Sequence, residues 1–292
     1  MAVVTTLDDF WVFDYSKITF PTKGDNLDVI RPYYGYFAHP AVPFAAVAMY
    51  LLFSGPFCGA IRSLAGLKRG GPTIKIITIV HSFLLTVYSA WTFYNAFGIV
   101  SEVYGLYSQT GEGFISTFYT MCCDGTGTLW TKYDLGSWIW HFYISKFYEF
   151  IDTWIILLKG DKPMLLQTYH HAGVVLIMWS MVVTHNVNGG MIITVLNSFI
   201  HTIMYTYYTL MALKLELPKK LKKLVKSFIT SSQLTQFVVG VSGSVPTYFV
   251  SGCLTEAQTM SQAGIQIYTI ILIYLFADFF HKEYVLEVRK KN

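Results

Sequence analysis

Apolar and polar positions alternate along this chain on a long wavelength. Mostly apolar runs fall near residues 40–61, 73–100, 137–158, 164–183, 190–212, 226–250 and 262–284. A helix that crosses a bilayer needs about 20 mostly apolar residues, so each run predicts one membrane helix. The third run is interrupted by Lys146, Glu149 and Asp152, and it fits as a span if those charges face inward. Only "KGDKP" separates it from the fourth run, which predicts a tight helical hairpin. No repeat of fixed period and no low-complexity tract interrupts the pattern.

The connections between the runs carry an orientation. Lys and Arg gather in alternate ones: Arg62, Lys68, Arg69 and Lys75; Lys159 and Lys162; Lys214, Lys219, Lys220, Lys222, Lys223 and Lys226; then Lys282, Arg289, Lys290 and Lys291. The intervening segments are acidic or nearly uncharged. Basic residues collect on the cytosolic side of membrane proteins. The pattern therefore predicts an odd number of spans, with the N-terminus outside the cytosol and the C-terminus within it. Residues 1–39 read as a non-cytosolic tail, 40–284 as one membrane domain and 285–292 as a cytosolic tail. The opening "MAVVTTLDDFWVFDY" has no basic stretch, unlike a cleaved signal. The ending "RKKN" is similar to a dilysine retrieval signal, with Arg289 at the outermost lysine, and points to the endoplasmic reticulum.

Composition sharpens this picture. Hydrophobic residues make up 53% of the 292 and charged residues 13%. A soluble domain carries about 25% charged residues, so the fold class expected is an all-α polytopic membrane protein. Cys58 lies in the first run. Cys122, Cys123 and Cys253 fall on the non-cytosolic side, where disulfides persist. A bridge between Cys253 and either Cys122 or Cys123 is expected, with free buried thiols as the alternative. The basic run "KKLKKLVK" reads first as a lipid-facing anchor and second as a lure for a polyanionic substrate.

The polar residues inside the runs carry the candidate chemistry. Charges at bilayer depth are costly and mark function. Lys146, Glu149 and Asp152 are spaced by three, so they share one side of a helix, with Thr153 beside them. The fourth run offers Gln167, His170 and His171. The fifth offers Asn197, His201, Met204, Tyr205 and Tyr208, and the sixth Thr230, Gln233 and Gln236. At 1.5 Å per residue, His170, Asp152 and Gln233 all lie about 10 Å from the cytosolic end, and His201 about 20 Å. They can meet in one buried cavity. His81, His141 and His281 read as interhelical hydrogen-bonding groups.

Three chemistries compete for such a centre. Metal binding would need more clustered histidines than the one adjacent pair at 170–171, although a single zinc on His170, His171 and His201 is conceivable. A transporter or seven-helix receptor would need a ligand or ion path. A retinal-type Schiff base in the seventh run is disfavoured, because its first lysine is Lys282. Nucleophilic catalysis needs a neutral imidazole, which burial favours.

"KFYEFIDT" (146–153), "QTYHH" (167–171), "NSFIHTIMYTYY" (197–208) and "TSSQLTQF" (230–237) resemble, in order and spacing, the four signature boxes of the ELO family. These are the condensing enzymes of very-long-chain fatty acid elongation. The resemblance covers roughly residues 140–240 and implies seven transmembrane helices enclosing an acyl tunnel. It implies a Claisen-type condensation of a fatty acyl-CoA with malonyl-CoA, giving 3-ketoacyl-CoA, CoA and carbon dioxide. His170 would attack the thioester, and His171 and His201 would assist. Lys146, Glu149 and Asp152 would position the centre and stabilise charge. Gln167, Asn197, Tyr205, Gln233 and Gln236 would line the cavity, and Lys219, Lys220, Lys222 and Lys223 would receive the CoA phosphates. No metal and no cofactor beyond these substrates is implied. The implied partners are the lipid bilayer and the reductases and dehydratase of the same cycle; a homodimer is left open, and no nucleic acid is expected. Gln167 departs from the family box, which usually begins with His. A glutamine there accompanies polyunsaturated substrates in the family.

Overall fold

The computed structural model describes residues 3–12, 14–15, 31–109, 111 and 113–286. Among the described residues, helices are the regular structure and no strand occurs. We number the helices of ten residues or more α1 (Ala41–Leu64), α2 (Pro72–Ser108), α3 (Phe114–Cys123), α4 (Leu135–Tyr148), α5 (Phe150–Lys159), α6 (Leu165–Thr184), α7 (Val187–Ala212), α8 (Lys219–Ser244) and α9 (Glu256–Phe280). All the apolar runs of the sequence appear as helices. Lys17, Lys23, Asp25 and Asp28 of the N-terminal tail lie outside the described residues, as do Arg289, Lys290 and Lys291 of the retrieval-like ending.

Local chemistry explains several boundaries. Pro72 opens α2, where a missing N–H costs nothing. Asn186 accepts from Gly189 N–H at the start of α7, and Thr255 and Gln258 form a reciprocal capping box on α9. Gly160 ends α5 at φ 82°, a left-handed conformation that glycine adopts freely. The expected boundaries shift in two places. α2 runs on to Ser108, and the basic segment from Lys219 is already helical, so it is the first part of α8 rather than a connection. The third apolar run is one rod broken at Glu149. There Asp152 N–H donates to Glu149 O in a tight turn (3.1 Å), and Ser145 Oγ donates back to Phe142 O (2.7 Å).

Among the described residues four helices, α1, α2, α7 and α9 (extended to Glu283), are long and apolar enough to cross a membrane by length and composition. α4 and α5 fall short because the break leaves them 14 and 10 residues long, and α6 and α8 because they carry polar residues. The helices close on themselves: α2 packs on α7, α7 on α8, α8 on α9, α9 on α6, α6 on α4 and α4 on α2. α1 stands outside this ring against α5 and α6. Large apolar side chains point outward, among them Leu52, Phe53, Phe83, Tyr94, Ile267 and Tyr274. Such a broad apolar exterior is unlike that of a soluble monomer. Polar side chains are buried inside the ring. Cys123, at the end of α3, is joined to Cys253 in the α8–α9 connection, while Cys122 and Cys58 are buried and free.

Candidate active site

Two cavities lie within the ring and meet at His170, Asn197, Gln236 and Phe237. They comprise about 1590 and 640 Å³ of space, open mouths included. The wider one opens between Lys159, Met164, Lys226 and Glu283, at the end of the ring that carries the basic connections. The narrower one continues from His170 past Val174 and Ile177 on α6 and from Gln236 to Ser244 on α8. Seven or eight helical residues correspond to about 11–12 Å of depth.

Asp152 is the hub of the wider cavity. Tyr205 OH donates to its Oδ2 (2.6 Å), and His81 Nε2 lies 3.0 Å from its Oδ1. His171 Nε2 stands 3.9 Å from Oδ2, within ion-pair range but beyond hydrogen bonding. Helices α2, α5, α6 and α7 thus converge on one carboxylate. His81, which reads from sequence as an interhelical group, is one, and its partner makes it part of the site.

Lys146 and Glu149 form a second, deeper pair that lines neither cavity. Lys146 is fully buried and Glu149 is 1% exposed. Nζ donates to Glu149 Oε1 (2.6 Å) and to Asn197 Oδ1 (3.4 Å), and it sits 3.6 Å from the centre of the Phe142 ring. Glu149 Oε1 is 3.8 Å from His201 Nδ1. A buried ion pair recovers its desolvation cost only when further groups complete it, and here Asn197 and Phe142 do so. The pair stands behind Asn197 and His201, which line the wider cavity.

The remaining residues are placed as follows. Gln167, Gln233, Gln236, Tyr205 and Tyr208 line the wider cavity. Gln167 Nε2 donates to Thr153 Oγ1 (3.4 Å), which shares a hydrogen bond with Tyr50 OH (2.8 Å). Lys219, Lys220, Lys222 and Lys223 lie on the first turns of α8 and do not line the cavity; of that basic run only Lys226 does. Lys159 lines it from the opposite wall. Glu149 Oε2, His171 Nδ1, His201 Nδ1 and Gln236 Oε1 are buried and have no hydrogen-bonding partner among the described residues. Unmade buried hydrogen bonds are costly and rare; others, such as Trp130 Nε1 and His185 Nε2, lie elsewhere, but His171, His201 and Gln236 line the wider cavity, where a polar ligand could meet them. No three His, Cys, Asp or Glu side chains among the described residues converge as metal ligands.

Sequence reasoning missed one neighbour of His170. Tyr268 on α9 has its hydroxyl 3.0 Å from His170 Nδ1. A lone tyrosine inside "IQIYTIIL" carries no local signal beyond core packing.

Residues 36–292 match the family described as ELO: GNS1/SUR4 family. The chain is 29% identical to fatty acid elongase sre1 of Dictyostelium discoideum over 252 residues, covering 86% of each chain. It is also 29% identical to very long chain fatty acid elongase 3 of Homo sapiens over 261 residues, 88% of this chain and 87% of that one. The identity to very long chain fatty acid elongase 5 of Xenopus tropicalis is again 29%, over 84% of this chain and 75% of the relative. No solved structure matches. With these relatives and its long apolar helices, this is a multi-pass membrane protein.

Proposed function

We propose that this chain, which belongs to the ELO: GNS1/SUR4 family, is a condensing enzyme of fatty acid elongation. It joins a long-chain acyl-CoA to malonyl-CoA and releases 3-ketoacyl-CoA, CoA and carbon dioxide. One observation carries the reading beyond family membership: His170 stands where a wide cavity that gathers Asp152, His81, His171, His201 and Lys226 meets a narrow, mostly apolar one. A fatty thioester has the same division, with a polar, phosphate-bearing head and an apolar tail joined at the reacting carbonyl. The head would occupy the wide cavity, its phosphates near Lys159 and Lys226, and the tail the narrow one, which serves as the acyl tunnel.

The chemistry follows in two steps. The His170 lone pair attacks the thioester carbonyl, the N–C bond forms, the C–S bond breaks, and the thiolate leaves as thiol with the proton that the ring gives up. Malonyl-CoA then loses carbon dioxide; the electron pair left on its α-carbon attacks the acyl carbonyl, and the imidazole departs and regains a proton from water. His171, 3.9 Å from Asp152, and His201, beside Glu149, would steady charge on the reacting oxygens. Lys146 and Glu149 act from behind, as positioning groups. No cofactor enters this balance.

The same proposal has residues 40–284 form seven membrane spans, with the 1–39 tail outside the cytosol and the 285–292 tail inside. The basic connections support that orientation, and the same proposal puts the enzyme in the endoplasmic reticulum membrane, where reductases and a dehydratase would take up the product. Gln167 supports a polyunsaturated acyl-CoA as the preferred substrate. The test supplies purified protein with labelled malonyl-CoA and a panel of palmitoyl-, oleoyl- and linoleoyl-CoA. Labelled 3-ketoacyl-CoA, greatest from linoleoyl-CoA, is expected. No condensation with any member of the panel would refute the reading.

A further inference from the structure

We infer that Tyr268 is a positioning residue that sets the tautomer of His170, keeping the ring proton on Nδ1 and leaving Nε2 bare toward the cavity. The inference rests on the acyl-transfer reading above. A phenol has one proton to give. Tyr268 OH lies 3.0 Å from the backbone oxygen of His170 and 3.0 Å from its Nδ1. The backbone oxygen can only accept, so satisfying both contacts requires Tyr268 OH to donate to it and Nδ1–H to donate to Tyr268 OH. A neutral imidazole protonated at Nδ1 has its lone pair on Nε2. No hydrogen bond among the described residues occupies that nitrogen, and His170 lines both cavities.

The tyrosine is held in place by the helix it serves. Tyr169 OH donates to Tyr268 O (3.3 Å), and the two rings stack with centres 5.2 Å apart. Gly173 leaves the space the ring fills: a β-carbon there would overlap Tyr268 Cε2. Three positions on α6, 169, 170 and 173, therefore grip one side chain of α9. A tyrosine filling core space would need neither the paired hydroxyl contacts nor a glycine opposite. As Nε2 takes the acyl group, positive charge spreads to Nδ1–H, and the phenolic oxygen accepting that hydrogen stabilises it.

The full-length enzyme is given oleoyl-CoA alone, and acylation of His170 is followed by peptide mass spectrometry. Tyr268→Phe keeps the ring and removes the hydroxyl. It should slow acylation about 10-fold, the rate equivalent of one hydrogen bond, while KM for oleoyl-CoA stays within about 2-fold. Gly173→Ala, which displaces the ring, should slow the same step. Solid-state NMR nitrogen shifts should show His170 of the unaltered enzyme protonated at Nδ1, and a mixture of tautomers in Tyr268→Phe. Equal acylation rates in the variant, or protonation at Nε2 in the unaltered enzyme, would overturn the inference alone. An unaltered enzyme that condenses substrates without ever carrying an acyl group on His170 would overturn the acyl-transfer reading, and the inference with it.

Discussion

The two cavities that share His170 differ in almost every physical respect. The wide one is ringed by Asp152, His81, His171, His201 and Tyr205 and opens between Lys159 and Lys226. The narrow one is walled mainly by Val174, Ile177, Ile192, Ile193, Val241 and Leu272, with uncharged polar side chains such as Gln262, Gln266 and Thr269 between them. Buried charge costs little where further polar groups complete it, and an apolar chain gains most where few intrude and none is charged. Placing the reacting nitrogen at the boundary lets one side bind by charge and hydrogen bonds and the other by shape. Changes on the two sides should therefore fail in different ways.

The largest effect belongs to the boundary itself. His170→Ala should lower condensation by roughly 10⁴-fold or more, the order expected when a nucleophile is removed. Retained binding of acyl-CoA, measured by equilibrium titration, would show that both cavities survive the change. Next comes the support behind the wide cavity. Lys146→Met leaves Glu149 buried without its partner, and should cost about 3–5 kcal/mol of stability, seen as a lower melting temperature in detergent. Adding Glu149→Gln should recover part of the loss, because it removes the orphaned charge. If the single variant melts like the unaltered protein, the pair is not the strut described above.

On the narrow side, Gly240→Leu would fill space beside Ile192. Condensation of oleoyl-CoA should fall about 10-fold, a common scale for crowding an apolar pocket, while shorter acyl-CoAs are spared. Equal losses for short and long chains would break the assignment of this cavity to the tail. The smallest change is at the mouth. Lys226→Ala should raise KM for both CoA substrates by about 2- to 5-fold with kcat unchanged, and the difference should shrink in high salt.

Much of this was legible in the sequence because helical periodicity is local. Spacings of three and four residues put Lys146, Glu149 and Asp152 on one side, and Asn197, His201 and Tyr205 on another, before any tertiary contact is known. Charge alternation likewise placed the basic connections at one end of the ring, where the wide cavity opens. What escaped depends on partners far along the chain. His81 gains its meaning from Asp152, 71 residues on, and Tyr268 from His170, 98 residues back. Neither has a neighbour in sequence that points to it. Which lysines of the basic run on α8 reach the mouth was not legible for a related reason: successive residues point in different directions around the helix, and of that run Lys226 lines the cavity. The adjacent cysteines pose the same problem. Neighbours on a helix diverge by about 100°, and the position of the 253 loop decides which of the two, Cys123, is bridged.

The most direct measurement is peptide mass spectrometry of enzyme incubated with oleoyl-CoA and no malonyl-CoA. An oleoyl adduct should sit on the His170 ring and disappear when malonyl-CoA is added, with 3-ketoacyl-CoA formed in equal amount. Condensation that proceeds at full rate with no adduct, or with the adduct on another side chain, would contradict the account.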